Sequence, residues 1–207
     1  MLKPIAFLSI FLFVLLTVSC KDEAQKSEDV TVANPPSKVA PAIPVKRAAK
    51  KDLTAEDIAE LKSVMVRIMT EAKVKKFASY LVTAELTDQL TGNGPFTVFA
   101  PTNTALESLT SERTLFYSNT GNRAKLKEML NGHIVSEKIT KETLLQSIDK
   151  NGKAKFQTLA GTTLTAEKLG DAIIISDGKT GKATVVSNGV EASNGVVFMI
   201  DGVLNVN

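Results

Sequence analysis

Tryptophan is absent from this 207-residue chain, and aromatic residues make up only 5% of it. A core built here must rest on Val, Ile, Leu and a few Phe. There is one cysteine, Cys20, and one histidine, His133. A single cysteine excludes an intramolecular disulfide, and with it the small secreted scaffolds stapled by bridges. A single histidine excludes a multi-histidine metal centre. An excess of one charge is lacking where it would matter most. From Leu53 to Asn207 there are 17 Lys/Arg and 17 Asp/Glu. The basic pI of about 8.9 therefore arises upstream, in Lys46-Arg47 and Lys50-Lys51. A neutral domain carries no basic stripe, so no nucleic-acid partner is expected.

One long apolar run is present. It extends from Ile5 to Val18 behind Lys3. A membrane-spanning helix needs about 20 apolar residues, and this shorter run fits the core of a signal peptide. Ser19 then precedes Cys20. This ending resembles a bacterial lipoprotein signal, although Thr17 stands where such signals usually have Leu. The resemblance implies a signal peptide over residues 1–19, cleavage between Ser19 and Cys20, and a diacylglycerol-bearing, palmitate-type anchor on Cys20. Lys21-Asp22-Glu23 resembles a short signal that sends such lipoproteins to the cell surface. The expected location is the outer membrane of a bacterial envelope, facing outward.

Residues 20–52 read as a tether. They are poor in large apolar residues and carry Pro35-Pro36, Pro41 and Pro44. Such a stretch buries too little to offset its ordering entropy, and its prolines favour extended, semi-stiff chain. What remains, residues 53–207, is one ordinary domain.

Thr54 followed by Glu56 and Asp57 predicts a capped helix start. Ile58, Leu61, Val64, Met65, Ile68 and Met69 then recur at helical spacing, which predicts one continuous helix. Phe77, Leu81 and Ala84 mark a second helix, and Leu86 and Leu90 a short third. Thr91-Gly92-Asn93-Gly94-Pro95 is a turn cluster ahead of a strand, Phe96 to Phe99. Pro101 is expected to end that strand, and Thr102 to cap a helix carrying Ala105, Leu106 and Leu109. A further helix holds Leu126, Met129 and Leu130 and ends at Gly132. His133 to Val135 reads as a strand, and Thr140 as the cap of a helix reaching Ser147. The last third is strand-rich: Phe156–Leu159, Thr162–Thr165, Ala172–Ser176, Ala183–Ser187, Val196–Ile200 and Val203–Val206. Asn194-Gly195 and Asp201-Gly202 are read as tight turns with positive φ. The class is α+β: a helix-rich first half packed on a largely antiparallel sheet.

Four stretches carry a family resemblance. Gly94 to Asn103, including Phe96, Pro101, Thr102 and Asn103, resembles the first conserved block of the fasciclin (FAS1) domain. Leu126 to Val135, around His133, is similar to the family's Tyr-His region. Thr158 to Leu164 resembles its central hairpin. Ala192 to Leu204, including Asn194, Gly195 and Asp201, resembles its second block. The resemblance implies a wedge-like fasciclin fold and an adhesion role. Two positions depart from the pattern. Gly132 stands where the family has Tyr before the His, and Phe198 where the second block has His. The Tyr-His region is the part linked to integrin binding in animal members, so an integrin ligand is not implied here. Each motif residue also has a sufficient structural task, and both blocks are expected to build the fold rather than to bind.

No catalytic set is visible, and neither enzyme activity nor a cofactor is expected. Ser136 near His133 makes no triad without an orienting carboxylate. Asp177-Gly178-Lys179-Thr180-Gly181-Lys182 lacks the glycine spacing and the Ser/Thr after Lys of a phosphate loop, and is read as a hairpin tip. Asp149, Asp171 and Asp177 fall in expected loops but form no calcium ladder. The expected function is adhesion by a monomeric, lipid-anchored domain to a protein or glycan ligand. Gly121-Asn122, Asn151-Gly152 and Asp177-Gly178 are candidate contact tips. The alternative is a periplasm-facing lipoprotein that binds a small ligand or a membrane partner.

Overall fold

The computed structural model describes residues 53–206. The signal peptide, Ser19, Cys20, Lys21-Asp22-Glu23 and the tether lie outside the described residues.

The expected first helix is two. Helix α1 spans Ala55–Glu60, and Thr54 caps it in a reciprocal box with Asp57. Helix α2 spans Val64–Thr70 and has its own cap, Ser63. The break turns the apolar periodicity into two unlike faces. Val64, Met65 and Ile68 are fully buried, whereas Ile58, Leu61 and Met69 are 42%, 57% and 52% exposed. Ser63 explains this, because its hydroxyl accepts the Val66 N–H and restarts the helix.

Helices α3 (Lys75–Thr83) and α4 (Thr87–Thr91) bury Phe77, Ala78, Leu81 and Leu90. Strand β1 runs Phe96–Pro101 with every residue buried. Pro101 closes the strand as its last residue rather than lying beyond it. Thr102 caps α5 (Asn103–Glu107) by accepting the Ala105 N–H; Leu109 lies past the end of that helix. Helix α6 (Ser111–Ser118) has no counterpart in the sequence reading, and only its Tyr117 is buried. Helix α7 (Arg123–Asn131) is capped at Gly132, followed by β2 (Ile134–Val135). Helix α8 (Lys141–Asn151) runs one turn beyond Ser147, so Asp149 is helical rather than in a loop.

The sheets come last in the chain. Strands β3 (Lys153–Gln157), β4 (Thr163–Leu169), β5 (Ala172–Ser176) and β6 (Lys182–Thr184) form an antiparallel meander. Strands β7 (Val190–Ala192) and β8 (Gly195–Ile200) join β1 and β2 in the order β2-β1-β8-β7. The sheets are largely antiparallel, as expected; the one parallel pairing is at the centre of this second sheet, between β1 and β8, with Val98 opposite Val197 and Phe99 opposite Phe198. Val203–Val206, expected as a strand, forms none.

That parallel pair divides the interior. Phe96, Val98, Ala100 and Val197 join the cluster built by α2, α3, α4 and α7. Phe99, Val196, Phe198 and Ile200 join the one built by α8 and the meander. Burial on both faces is the usual state of parallel strands and explains the near-continuous apolar runs. Phe99 and Phe198 stack with ring centroids 5.7 Å apart. Thr97 is the one polar side chain in this layer. Its hydroxyl donates to Glu137 O at 2.6 Å and accepts Ile139 N–H at 2.9 Å, which satisfies it fully. Removing a side-chain cap costs about 1 kcal/mol. Thr102→Ala should accordingly lower the urea unfolding midpoint modestly without changing the fold.

Candidate functional site

The two motif blocks meet at one end of the β1–β8 pair. Asn194 sits at the junction. Its Oδ1 accepts the Val64 N–H at 2.8 Å, at the start of α2. Its Nδ2 donates to Leu90 O at 3.0 Å and Gly92 O at 2.7 Å, at the end of α4. Its main-chain oxygen accepts the Phe96 N–H. One side chain thus joins two helix ends and the start of a strand. Ser193 and Asn194 form the tight turn between β7 and β8, as expected, but neither Asn194 nor Gly195 has positive φ. Gly195 is required by proximity instead: a Cβ there would lie 1.9 Å from Phe96 O. Ser193 holds the preceding loop, its hydroxyl donating to Ala59 O and its N–H to Lys62 O.

The other end of the strands is tied similarly. Asn103 Oδ1 accepts the Lys76 N–H at 3.0 Å and its Nδ2 donates to Ala72 O at 2.9 Å, pinning the start of α3 to α5. Asp201 Oδ1 accepts the Thr184 N–H, and its own N–H bonds Thr184 O, joining the two sheets. Asp201-Gly202 also lacks positive φ.

His133 is fully buried. Its Nδ1 lies 3.0 Å from Met129 O, and its Nε2 accepts the Leu204 N–H at 3.0 Å. A main-chain N–H can only donate, so Nε2 carries no proton and Nδ1–H donates to the carbonyl. Phe77 packs on the ring at 5.8 Å. Burial lowers its pKa from 6.5 to about 4, against the opposing effects of the Met129 carbonyl and the Asp177 charge. A neutral imidazole with both nitrogens engaged and no exposure has neither a proton to move nor a lone pair for a ligand.

Residues 177–181 form the hairpin tip between β5 and β6, as expected, but Asp177 itself is turned inward rather than offered as a contact point. It is buried, its Oδ1 accepting the Lys179 and Gly181 N–H groups and its Oδ2 the Asn205 N–H at 2.8 Å. His133 and Asp177 together hold Leu204 and Asn205, and this is why the last segment pairs with no strand. Asn205 in turn donates to Glu128 O. Gly132 gives Asn205 room: a Cβ there would come within 2.5 Å of Asn205 Cβ. The signal for Asp177 was legible, since Asp opening a Gly-containing loop commonly accepts main-chain N–H groups two to four residues on. Of the other candidate tips, Gly121-Asn122 lies in a single 3-10 turn, and Asn151-Gly152 ends α8 with Gly152 at φ 73°.

A surface depression of about 600 Å³ lies beside Asn194. Glu56, Glu60, Lys138 and the 91–95 turn line it. Its lining mixes the charged Glu56, Glu60 and Lys138 with small and apolar residues such as Ala59 and Pro95. Among the described residues, no group of three His, Cys, Asp or Glu could hold a metal ion. No described helix is long and apolar enough to cross a membrane.

A small α+β domain results, whose motif side chains are occupied by internal bonds. The chain belongs to the fasciclin domain family, whose model matches residues 72–206. Protein sll1483 of Synechocystis sp. is 39% identical over 123 residues, 58% of this chain and 61% of that protein. Mouse Stabilin-1 is 34% identical over 146 residues, 69% of this chain and 5% of that protein. Immunogenic protein MPB70 of Mycobacterium bovis is 35% identical over 54% of this chain and half of that protein. The chain therefore spans less than two thirds of these relatives. A solved FAS1 domain pair from the insect cell adhesion molecule fasciclin I superposes with a TM-score of 0.60 at 17% identity, over 69% of this chain and half of that one. At that identity the likeness concerns the fold.

Three bonds from one side chain make Asn194 the position to test for a framework role. Asn194→Ala should cost about 3 kcal/mol, near 1 for each bond, and should shift the urea midpoint far more than Thr102→Ala. Asn194→Asp keeps the acceptor for Val64 but sets a carboxylate oxygen against the Leu90 and Gly92 carbonyl oxygens, so it should destabilise at least as much as alanine.

Proposed function

We propose that this protein is a non-enzymatic, lipid-anchored binding module of a bacterial cell envelope, with its fasciclin domain mediating adhesion to a surface, matrix or neighbouring cell. The carrying observation is that His133, Asn194, Asn103 and Asp201 all serve internal bonds. Function is thereby left to the outer surface of a rigid domain. The Cys20 signal and proline-rich tether support projection from a membrane, and membership in a family with a cell adhesion molecule supports adhesion. The ligand class is a protein or glycan, and the domain acts as a monomer.

Shaving of intact cells by protease tests the location, with a periplasmic protein as leakage control and Cys20→Ser alongside. Loss of the domain from wild-type cells, and its release by the variant, supports the reading. Protection until the outer membrane is opened would falsify intercellular adhesion. The 600 Å³ depression beside Asn194 favours a second reading, in which a periplasm-facing domain binds a small polar ligand there.

A further inference from the structure

The meander buries one face and presents the other. Ala154, Leu164, Ile175 and Ala183 pack inward with Ile148 of α8. Strand alternation sends their neighbours outward. The register lines up four of these in one row across the sheet: Lys155 of β3, Thr165 of β4, Ser176 of β5 and Lys182 of β6. Both lysines are exposed, and the two hydroxyl residues between them are half-buried. The next row begins with Lys153 opposite Glu167, both exposed.

Charge gathers on this face. Lys153, Lys155 and Lys182 stand against one carboxylate, Glu167, in a domain whose basic residues equal its acids in number. Among the described residues none of the three lysines takes part in an ion pair. The Thr165 and Ser176 hydroxyls also make no hydrogen bond within the described residues. Those of Thr97, Thr158 and Ser193, by contrast, are taken up by internal bonds.

We infer that this outer face binds an acidic polysaccharide, laid along the row from Lys155 to Lys182. Neighbouring strands lie about 4.8 Å apart, so the two ends of the row are about 14 Å apart. A polymer with repeated carboxylates or sulfates meets both lysines with their stems extended. One small anion would need both stems to lie flat across the hydroxyls. The polymer's own hydroxyls meet Thr165 and Ser176 between the charges. The face carries no aromatic ring, so a neutral sugar or an unpaired base has nothing to stack on. An acidic peptide that adds as a strand would use a sheet edge, not a face. The assignment rests on the adhesion reading for the glycan's place outside the cell. Lysines on edge strands also discourage pairing between sheets, but that task predicts self-association on their removal, not loss of a ligand.

Binding of the full chain, in detergent micelles, to immobilised polygalacturonate tests this, with dextran, polyglutamate and single-stranded DNA alongside. Polygalacturonate should be held and dextran not, and added salt should weaken the binding. Lys155→Glu/Lys182→Glu should weaken it at least about tenfold. Lys73→Glu/Lys127→Glu makes the same charge change on exposed positions of the helical half and should have little effect. Glu167→Gln should tighten binding, a gain that misfolding does not produce. Equal loss, or no loss, in the two double variants overturns the face as the site. Polyglutamate or DNA held as tightly as polygalacturonate overturns the glycan class. Polygalacturonate left unbound by the wild type overturns the inference and leaves adhesion to a protein standing, whereas protection of the domain in the shaving experiment removes adhesion itself.

Discussion

Gly195→Ala should leave the domain close to the limit of stability at 25 °C, with a melt far below that of the wild type. The added Cβ would sit 1.9 Å from Phe96 O and 2.8 Å from Phe96 C, inside a pair of parallel strands buried on both faces. No flexible side chain is available to move aside, because the opposing atoms are main chain. Relief requires β1 and β8 to separate at their first register position, where Asn194 also gathers α2 and α4. The cost is on the order of 4 kcal/mol or more, in the range kept for severe core disruption, and a large fraction of a typical total stability. Gly152→Ala is the control. That residue has φ 73° with nothing within 4 Å of a Cβ, so only the left-handed backbone is penalised, at about 1 kcal/mol. Far-UV circular dichroism and thermal melts compare the two. A cooperative melt for Gly195→Ala near that of the wild type would remove close approach as the reason for the glycine.

Acid should destabilise the domain through His133. Above pH 6.5 the imidazole is neutral in both folded and unfolded chains and adds no pH dependence. Below 6.5 the unfolded chain takes up a proton that the buried ring refuses until about pH 4. The unfolded state binds more protons across that window, so stability falls as pH falls, by about 1.4 kcal/mol per pH unit and about 3 kcal/mol in all. Protonation would also turn Nε2 from acceptor to donor against the Leu204 N–H. Asp57 and Glu142 have pKa values lowered by hydrogen bonds at their helix starts: for Asp57 to the main chain and hydroxyl of Thr54, for Glu142 to its own main-chain N–H and Thr140. Their stabilising contribution has the same sign but is lost only as pH falls below their ordinary values of 3.8 and 4.5. The interval above pH 4.5 therefore reports on the histidine, and His133 is the only one in the chain. Urea unfolding at pH 7.5 and 4.5 should show a loss in the wild type that His133→Gln lacks. The same loss in both would mean that another group titrates.

What could be read from the residues depended on the range of the cause. Thr54 and Thr102 were legible as caps because their partners lie three positions on. The break at Ser63 was masked by apolar spacing that continues across it. Helix α6 leaves no periodic signal because Leu115, Phe116 and Tyr117 are consecutive and form no stripe, and β7 leaves none because its three exposed or half-exposed residues carry no alternation. Asn194 was recognisable as a motif residue, but its three side-chain partners lie 102 to 130 positions away. The same holds for the hold of His133 and Asp177 on Leu204 and Asn205, which removed the expected last strand.

The parallel pairing of Phe96–Pro101 with Gly195–Ile200 has a consequence for biogenesis. Ninety-nine positions separate Phe96 from its partner Gly195, and the contacts that close both cores are of high contact order. A nascent chain lacks the second central strand until Gly195–Ile200 has been made. The domain cannot close before that strand is available, and the roughly hundred positions ahead of it stay without their central partner until then. Truncation ahead of Gly195 should yield no partial domain, only chain for quality-control proteases to clear.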